Sequence, residues 1–493
     1  MLSSFGAPAT TQPTTLPAGR SAVGQAALSP WVVAFIVSFL VPIHLYFGDI
    51  RLSVYRIVLL LAFIPALMQI LAAEDRVRLR APDVFFILFA VTGALSLVVT
   101  RATISAVGIF VIEALGPYLL ARAYVRTPAQ FGAVARLFSA CIIATLPFAI
   151  FESLTGNPIL LTALGKVFEV LPNVPHQIRL GLDRAQVTLD HPILYGVFCA
   201  MGFTLTLYLS RLDPSRGLAL VRGGLVGAAT FFSLSSGAFV AVGIQGALVL
   251  YDRVFKEIRW RWLAFAIAFV IGYAIIEGLS NRTVPQIAVE YIALDPGTAW
   301  TRFLINKWAW SGIMAEPWFG FGFTGHWPRP DWLVTTSIDN FWYALAFRHG
   351  LPTVVFLLLA ILSLVFLVVR VRSEDPIYNA CRISLVITIA AICVAIWTVH
   401  LWNATYCAFI FLLGCGSWML ERGSSAQTGE AAKAVAPSPD LSERREAWPL
   451  ARTALGSEEA NLNSPSPLPF SRFDGPGRSR SDRCPENSRP LRR

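Results

Sequence analysis

The sequence predicts an all-α polytopic integral membrane protein with about 12 transmembrane helices, on three observations. First, 55% of the 493 residues are hydrophobic and only 14% are charged, with a mean hydropathy of +0.60, whereas soluble domains carry roughly 25% charged residues. Second, long apolar segments recur along most of the chain. Third, basic residues gather in alternate connections between those segments.

A span needs about 20 mostly apolar residues, and twelve apolar segments are candidates. The stretch from Gly224 to Tyr251 is ambiguous, because Ser233, Ser235, Ser236 and Gly237 fit either a tight turn or the middle of one long helix. The candidates are Trp31–Leu45, Tyr55–Ala72, Val84–Val99, Ile104–Leu120, Phe138–Phe151, Ile193–Leu209, Gly224–Leu234, Phe239–Tyr251, Leu263–Ile276, Thr353–Val369, Leu385–Thr398 and Tyr406–Leu420.

The distribution of basic residues favours splitting that stretch into two spans and placing both termini in the cytoplasm. The opposite short connections hold little more than Arg51 and Arg101. The predicted cytoplasmic connections hold Arg76, Arg78, Arg80, Arg122, Arg126, Arg211, Arg216, Arg222, Arg253, Lys256, Arg259, Arg261, Arg370, Arg372 and Arg382. The net charge of +10 then mostly reflects topogenic arginines, so no nucleic-acid partner is predicted.

The chain therefore divides into five parts. Residues 1–29 and 421–493 are polar and are predicted to be disordered cytoplasmic segments. Residues 30–279 hold spans one to nine, with an outer loop at 152–191, and residues 353–420 hold spans ten to twelve. Residues 280–352 form a large outer loop rich in Trp, Gly and Pro.

Within that large loop, Asp295 and Pro296 fit a helix start. Trp300, Phe303, Leu304, Ile305 and Trp308 follow at the spacing of an amphipathic helix suited to the outer interface. Gly320, Gly322 and Gly325 formally match GxGxxG, but no strand precedes them. A close turn that lets the backbone approach a ligand or another helix is the favoured interpretation.

Helical periodicity resumes after Asp339 and Asn340, which stand where an N-cap would be. Arg348 and His349 follow shortly before Gly350. All six histidines map to the predicted outer half of the protein, as do Arg179, Arg184, Arg302 and Lys307. This bias predicts a polar cavity that faces outward.

Other site types have less support. Glu113 and Glu277 are the few carboxylates within spans, where such groups are often functional, although each could pair with an Arg of a neighbouring helix. A proton-coupled transporter would show more of them, with internal repeats. Neither CxxC nor HExxH occurs, so neither a metal site nor a cofactor is predicted.

Four elements together resemble the O-antigen ligase and O-antigen polymerase (Wzy-like) superfamily of bacterial envelope glycosyltransferases. The resemblance covers roughly residues 55 to 420. The elements are WTRFLINKWAWSGIMAEPWFGFGFTG (Trp300–Gly325), Asp339-Asn340 followed after nine residues by Gly350-Leu351-Pro352-Thr353, DRAQVTLDHPILYG (Asp183–Gly196) and SLSSGAFVAV (Ser233–Val242). They look like the family's Arg-containing helix and glycine turn, its His-Asn…Gly-X-X-Gly pattern, its Arg-then-His-Pro element and its Ser-Arg-Gly element.

Two departures bear on the activity that the resemblance implies. Asp339 stands where the ligases have His, and Ser236 stands where the family has the Arg of Ser-Arg-Gly. Both favour a polymerase of surface or exopolysaccharide repeat units over a ligase that transfers the glycan to lipid A-core or another acceptor. A polysaccharide-related transporter is the third hypothesis.

The resemblance implies a multi-pass protein of the bacterial inner membrane whose site faces the periplasm. The implied donor is an oligosaccharide on undecaprenyl pyrophosphate, used without a metal or another cofactor. Further candidate partners are membrane lipids, a chain-length regulator and a flippase. Guanidinium groups suit a pyrophosphate, so Arg302 is the first candidate to bind it, followed by Arg184, Arg179 and Lys307.

The acceptor hydroxyl needs a general base. Asp339 with Asn340 is the first candidate by placement, and His349 and His191 are alternatives. Trp318, Trp327, Trp342 and Tyr343 are candidates to stack on sugar rings, although an interfacial aromatic belt explains most of them equally well.

Overall fold

The computed structural model describes residues 27–48, 50–72, 78–208, 216–258, 260–281, 287, 296–323, 325–333, 335, 337–371 and 373–421. Most of the two predicted terminal segments, residues 1–26 and 422–493, lies outside the described residues. So do the predicted cap Asp295 and the topogenic residues Arg76, Arg211, Arg259 and Arg372.

The described residues form a helical bundle with two short hairpins. The helices are α1 (Pro30–Ser38), α2 (Val54–Leu71), α3 (Ala81–Val99), α4 (Ile104–Tyr124), α5 (Pro128–Thr155), α6 (Ile159–Leu164), α7 (Pro192–Tyr208), α8 (Arg216–Phe232), α9 (Ser236–Val254), α10 (Arg261–Leu279), α11 (Pro296–Ala315), α12 (Phe341–His349), α13 (Leu351–Arg370), α14 (Pro376–Ala395) and α15 (Asn403–Gly414). The antiparallel hairpins are β1 (His44–Phe47) with β2 (Ile50–Ser53), and β3 (Ile178–Arg179) with β4 (Leu182–Asp183).

The prediction of an all-α polytopic membrane protein is confirmed at the level of class. Among the described residues, nine helical segments are long and apolar enough to cross a membrane: α2, α3, α4, α5, α9, α10, α13, α14 and the segment Asn403–Glu421 that begins with α15. Two shorter apolar helices, α7 and α8, stand where two further spans were predicted. The turn between Phe232 and Ser236 divides the ambiguous stretch into two helices, as predicted.

The first predicted span, Trp31–Leu45, is helical only over part of its length. α1 ends at Ser38, and the chain then enters β1. Pro42 cannot donate a helical hydrogen bond. Its carbonyl accepts from Leu171 N at 3.2 Å, and His44 N donates to the Glu169 carbonyl at 2.8 Å. Pairing with the first outer loop thus replaces the last part of the expected helix.

Most helices pack around one large apolar core. A second, small cluster is formed by Tyr208, Val249, Ala380 and Ile387. α13 lies along α3, α2 and α15 both pack on α4, and α7 contacts α8, α9 and α14. α11 contacts α12, which in turn packs on α3 and α13. α10 differs from the others because none of its residues is buried.

Ion pairs join the connections at the end of the bundle predicted to be cytoplasmic. Arg122 pairs with Asp83 at 3.1 Å and also with Glu421, and Tyr118 donates to Asp83 at 2.7 Å. Arg261 pairs with Asp252 at 2.8 Å. Arg122 and Arg261 each have an opposite charge beside them, as buried ions require.

The glycine turn packs against the junction of α12 and α13, which agrees with the favoured interpretation of a close approach to another helix. Gly320 and Gly322 both have φ of +64°, and Gly350 has φ of +80°. Phe321 N donates to the Phe347 carbonyl at 2.8 Å, and Leu351 N donates to the Pro317 carbonyl at 2.7 Å. A Cβ on Gly320 would lie 2.5 Å from the Phe347 carbonyl oxygen, so only glycine fits there.

Replacing Gly350 with Ala should destabilise the protein by about 3 kcal/mol, because Ala is strained at this φ and its Cβ would collide with the Trp318 carbonyl. The control Gly243→Ala adds a methyl group within α9 where no atom lies within 4 Å, so it should be neutral or slightly stabilising. Thermal unfolding in detergent measures both. Equal unfolding temperatures for the two variants would show that the contact between the glycine turn and the α12–α13 junction is not tight.

Candidate functional site

The candidate site lies where several connections meet at one end of the bundle, here called the site end. It comprises the β1–β2 hairpin, the loop at 156–191, the α8–α9 turn, the α14–α15 connection at 396–402 and the start of α12. Contacts such as Arg51 to Asp190 at 3.4 Å and Phe341 N to the Ile396 carbonyl at 2.9 Å join them. These are the connections that the sequence predicts to be outer.

A two-residue turn brings two of the predicted arginines together. Leu180 and Gly181, with φ of +54° and +78°, connect β3 to β4, the backbone twist that favours tight hairpins. The Nη1 of Arg179 donates to the Leu234 carbonyl at 3.1 Å. The Nε of Arg184 donates to the adjacent Ser233 carbonyl at 3.2 Å. Two successive carbonyls of the α8–α9 turn thus position both guanidinium groups.

Arg184 is only 7% exposed. Its Nη1 donates to Gln177 Oε1 at 2.7 Å, and its Nη2 is buried without a hydrogen-bond partner among the described residues. Burial, together with the nearby charges of Arg179 and Arg302, lowers the pKa of Arg184 to about 9. The three arginines therefore repel one another, and an anion bound among them would relieve this repulsion.

The third arginine of this group comes from α11 and lies beside a predicted catalytic residue. The Nε of Arg302 is 3.8 Å from Asp339 Oδ2. The Arg302 side chain is 12% exposed, whereas that of Asp339 is 34% exposed and so remains accessible to a substrate. Asp339 Oδ1 also accepts from Ser337 Oγ at 2.8 Å, which orients the carboxylate.

His191 stands next to the same arginines. Its Nδ1 accepts from Ile193 N at 3.1 Å, so in the neutral ring the proton is on Nε2. Burial and the charges of Arg184, Arg179 and Arg302 lower the pKa of His191 to about 4. A neutral imidazole with an Nε2–H group is a hydrogen-bond donor, which suits contact with an anionic oxygen better than removal of a proton.

A polar network fixes the residue before His191. Asp190 Oδ1 accepts from Asn403 Nδ2 at 2.7 Å, and Asn403 Oδ1 accepts from Arg56 Nη2 at 2.9 Å. Arg56 Nε pairs with Glu113 at 2.8 Å. For Glu113, the sequence left open either a functional role or a pair with an Arg of a neighbouring helix, and the structure shows such a pair. Sequence analysis did not identify Arg56, Asn403 or Asp190, because their shared contacts join parts of the chain far apart in sequence.

Asn340 is a helix cap. Its Oδ1 accepts from Trp342 N at 3.0 Å and from Tyr343 N at 3.2 Å, and the residue is 0% exposed. Its Nδ2 donates to Asn306 Oδ1 on α11 at 3.3 Å. Asn340 therefore fixes the start of α12 and connects it to the helix that holds Arg302.

His349 lies away from the arginines. It is 4% exposed, its ring lies 4.7 Å from the Phe110 ring centroid, and it hydrogen-bonds the backbone of Gly93. The neighbouring Arg348 instead reaches His400 Nε2 at 3.4 Å. The order of residues along α12 gave no sign of this difference in environment.

The remaining predicted residues vary in exposure. Trp342 and Trp327 are 5% and 4% exposed, and Trp342 Nε1 donates to the Cys393 carbonyl at 3.4 Å. Trp318 is 71% exposed, and Tyr343 is half-buried beside Trp397. Lys307 lies on the exposed side of α11. The structure thus brings together Arg179, Arg184, Arg302, His191 and Asp339.

No protein-family model matches the chain, and no curated protein matches it either.

The free energy of unfolding should decrease as the pH falls from 7 to 5. Burial lowers the pKa of His349 from 6.5 to about 4, so below pH 6.5 the unfolded state binds a proton that the folded state excludes. The free energy of unfolding is therefore lower by about 2 kcal/mol at pH 5 than at pH 7. His349→Gln should remove this share of the pH dependence, as measured by chemical unfolding at each pH.

The matched control for this prediction is His326→Gln, which changes an exposed ring. If His349→Gln and His326→Gln give the same pH dependence as the unsubstituted protein, His349 is not held neutral in the fold.

Proposed function

We propose that the protein is a membrane glycosyltransferase of the polysaccharide polymerase type. It transfers a glycan from undecaprenyl pyrophosphate to a sugar hydroxyl on a second lipid-linked repeat unit, at the periplasmic face of the inner membrane. The convergence of Arg179, Arg184 and Arg302 beside His191 and Asp339 is the observation that supports this proposal most strongly.

The three arginines suit the pyrophosphate of the donor. Guanidinium groups stay charged and present paired N–H donors to phosphate oxygens. Arg184 and Arg179 are already oriented by the carbonyls of Ser233 and Leu234, so little reorganisation is needed when an anion binds. His191 contributes its Nε2–H group as a further donor to the same oxygens.

The reaction is a displacement at the anomeric carbon of the donor sugar. Asp339 accepts the proton of the acceptor hydroxyl, and the oxygen forms a bond to the anomeric carbon from the opposite side. The bond from that carbon to the pyrophosphate oxygen breaks, and its electron pair leaves with the pyrophosphate. Charge therefore develops on the leaving group next to Arg302 and Arg184, where positive groups lower the barrier most.

Asp339 is favoured as the base on geometric grounds. Its carboxylate is 34% exposed, whereas His349 is buried among aromatic rings. The Nδ1 of His191 is already used as an acceptor for Ile193 N and its Nε2 carries the proton, so neither nitrogen of this ring is free to accept a proton. The pairing of Glu113 with Arg56 also argues against a transporter that depends on Glu113 as an ion-binding carboxylate.

Replacing Arg302 with Ala should lower the rate of glycan transfer by about 100- to 1,000-fold, because the leaving pyrophosphate loses a charged donor. Arg302→Lys should restore only part of the rate, since ammonium cannot form the paired contact. The assay uses purified protein in liposomes with undecaprenyl-pyrophosphate-linked repeat units as the sole substrate, and the products are separated by size.

The control for Arg302→Ala is Arg253→Ala, an exposed arginine at the far end of α9, which should leave the rate unchanged. A ladder of products from the unsubstituted protein identifies a polymerase. Transfer that occurs only after a core lipid is added identifies a ligase, and full activity of Arg302→Ala would contradict both.

Replacing Asp339 with Asn should lower kcat by about 100-fold or more, because the amide cannot accept the hydroxyl proton. The KM for the lipid-linked substrate should change little, since the arginines still bind the pyrophosphate. Asp331→Asn, an exposed carboxylate in the same segment, serves as the matched control. An unchanged kcat for Asp339→Asn would assign the base to another residue.

A further inference from the structure

Two hairpins at the site end expose apolar side chains where polar turn residues are usual. Leu45, Tyr46 and Phe47 of β1 are 44%, 53% and 63% exposed. Ile178 and Leu180 in the β3–β4 hairpin are 72% and 69% exposed. Neither group has a role in the mechanism above. Large apolar side chains that stay exposed in groups usually mark a surface that another molecule covers.

Leu180 also occupies an unfavourable backbone conformation. It has φ of +54° in a two-residue turn, where Asn, Asp and Gly are the usual residues. Its side chain joins neither of the apolar clusters that the described residues form. Asn at this position would relieve the strain and remove an apolar side chain from water. The fold therefore does not account for a leucine here, whereas contact with an apolar environment outside the chain does.

The first hairpin lies directly at the end of a span. β2 ends at Ser53, and α2 begins at the next residue. The register pairs Leu45 with Leu52 and Phe47 with Ile50. Since a strand advances about 3.3 Å per residue, these two partners lie about 7 and 13 Å along the strand from the start of α2. The exposed side chains of β1 are therefore near the depth at which α2 leaves the apolar part of the membrane.

The second hairpin is attached to the end of another span, α5. Ser153 Oγ in the last turn of α5 donates to the Asp183 carbonyl of β4 at 2.5 Å. Leu154, the next residue of α5, is 67% exposed, so the apolar outer face of this span reaches the hairpin. Arg179 stands between the two exposed apolar residues of the hairpin. Such a sequence suits a membrane interface, where apolar side chains enter the lipid and a guanidinium group stays at the level of the phosphates.

We propose that the tips of both hairpins insert into the lipid interface at the site end, with Tyr46, Phe47, Ile178 and Leu180 in contact with phospholipid chains. Arg179 then lies at the level of the lipid phosphates, and the arginine group opens sideways to the membrane as well as to water. The insertion does not depend on the proposed function. Its consequence does, because a pyrophosphate carried on a lipid then reaches Arg179 without leaving the interface.

Photo-crosslinking in liposomes tests the insertion. The photoreactive residue p-benzoylphenylalanine replaces Phe47 or Leu180, one at a time, in the full chain, and the liposomes contain radiolabelled phosphatidylethanolamine. On irradiation both variants should become labelled with lipid, to a level comparable with the same replacement of Leu61, an exposed residue within the α2 span. The control position is Asn173, an exposed polar residue in the loop at 156–191, which should acquire little label.

Two results would overturn the proposal. Lipid labelling at Phe47 and Leu180 no higher than at Asn173 would show that the hairpin tips stay in water. Crosslinks to a second copy of the chain in place of lipid would assign the hairpins to a contact between copies.

A double variant tests the consequence for a lipid-linked substrate. Ile178→Asn/Leu180→Asn removes both apolar side chains beside Arg179, and it should change the unfolding temperature by less than about 2 °C because both positions are exposed. The KM for undecaprenyl-pyrophosphate-linked repeat units should rise by about three- to tenfold, with kcat changed far less. Ile104→Asn, which changes a residue that is 92% exposed at the start of α4, should leave the KM unchanged.

The two experiments distinguish the possible failures. If the unsubstituted protein transfers no glycan, or if Arg302→Ala is fully active, the proposed function fails and the labelling at Phe47 and Leu180 still decides the insertion. If transfer occurs and the double variant keeps the normal KM, the sideways opening at Arg179 is wrong.

Discussion

The arrangement of the site end depends on the hydrogen bonds that the guanidinium group of Arg56 donates. Its Nε donates to Glu113 at 2.8 Å, its Nη1 to the Arg51 carbonyl at 2.9 Å and its Nη2 to Asn403 at 2.9 Å. It thereby joins α2, α4, the β1–β2 hairpin and the start of α15. Each of the three nitrogens of this buried charge donates a hydrogen bond, and removing one of the partners of such a charge is costly. Through Asn403 and Asp190 these hydrogen bonds extend to the residue before His191.

Two arginines of the proposed site, Arg179 and Arg184, differ from Arg122 and Arg261 in the groups that they contact. At the opposite end Arg122 and Arg261 each lie against a carboxylate. At the site end Arg179 and Arg184 instead donate to backbone carbonyls, which have only partial negative charge. The positive charge therefore remains available to a ligand. This arrangement suits a substrate that brings two phosphates and releases them after reaction.

The glycine turn shows how non-helical backbone is accommodated next to the spans. Polar backbone groups must be paired wherever water is excluded. The turn at Gly320 and Gly322 pairs with the last residues of α12, and Ser96 of α3 donates to the Phe319 carbonyl at 2.5 Å. This contact holds α12, whose capping residue Asn340 follows Asp339. The turn thus helps to define the position of the proposed base without contacting it.

Composition and the spacing of apolar residues determined the membrane class and the approximate positions of the helices, because burial in lipid requires long apolar stretches whatever their neighbours are. The resemblance to the O-antigen ligase and polymerase superfamily, together with the predicted topology, added Arg302, Arg184 and Asp339 as site candidates, and their roles stay predictions. Only the tertiary structure decided that His349 faces Phe110, that Asn340 caps α12 and that α1 ends before β1. Those outcomes depend on contacts between segments far apart in the chain, and no local pattern of residues encodes which segments meet.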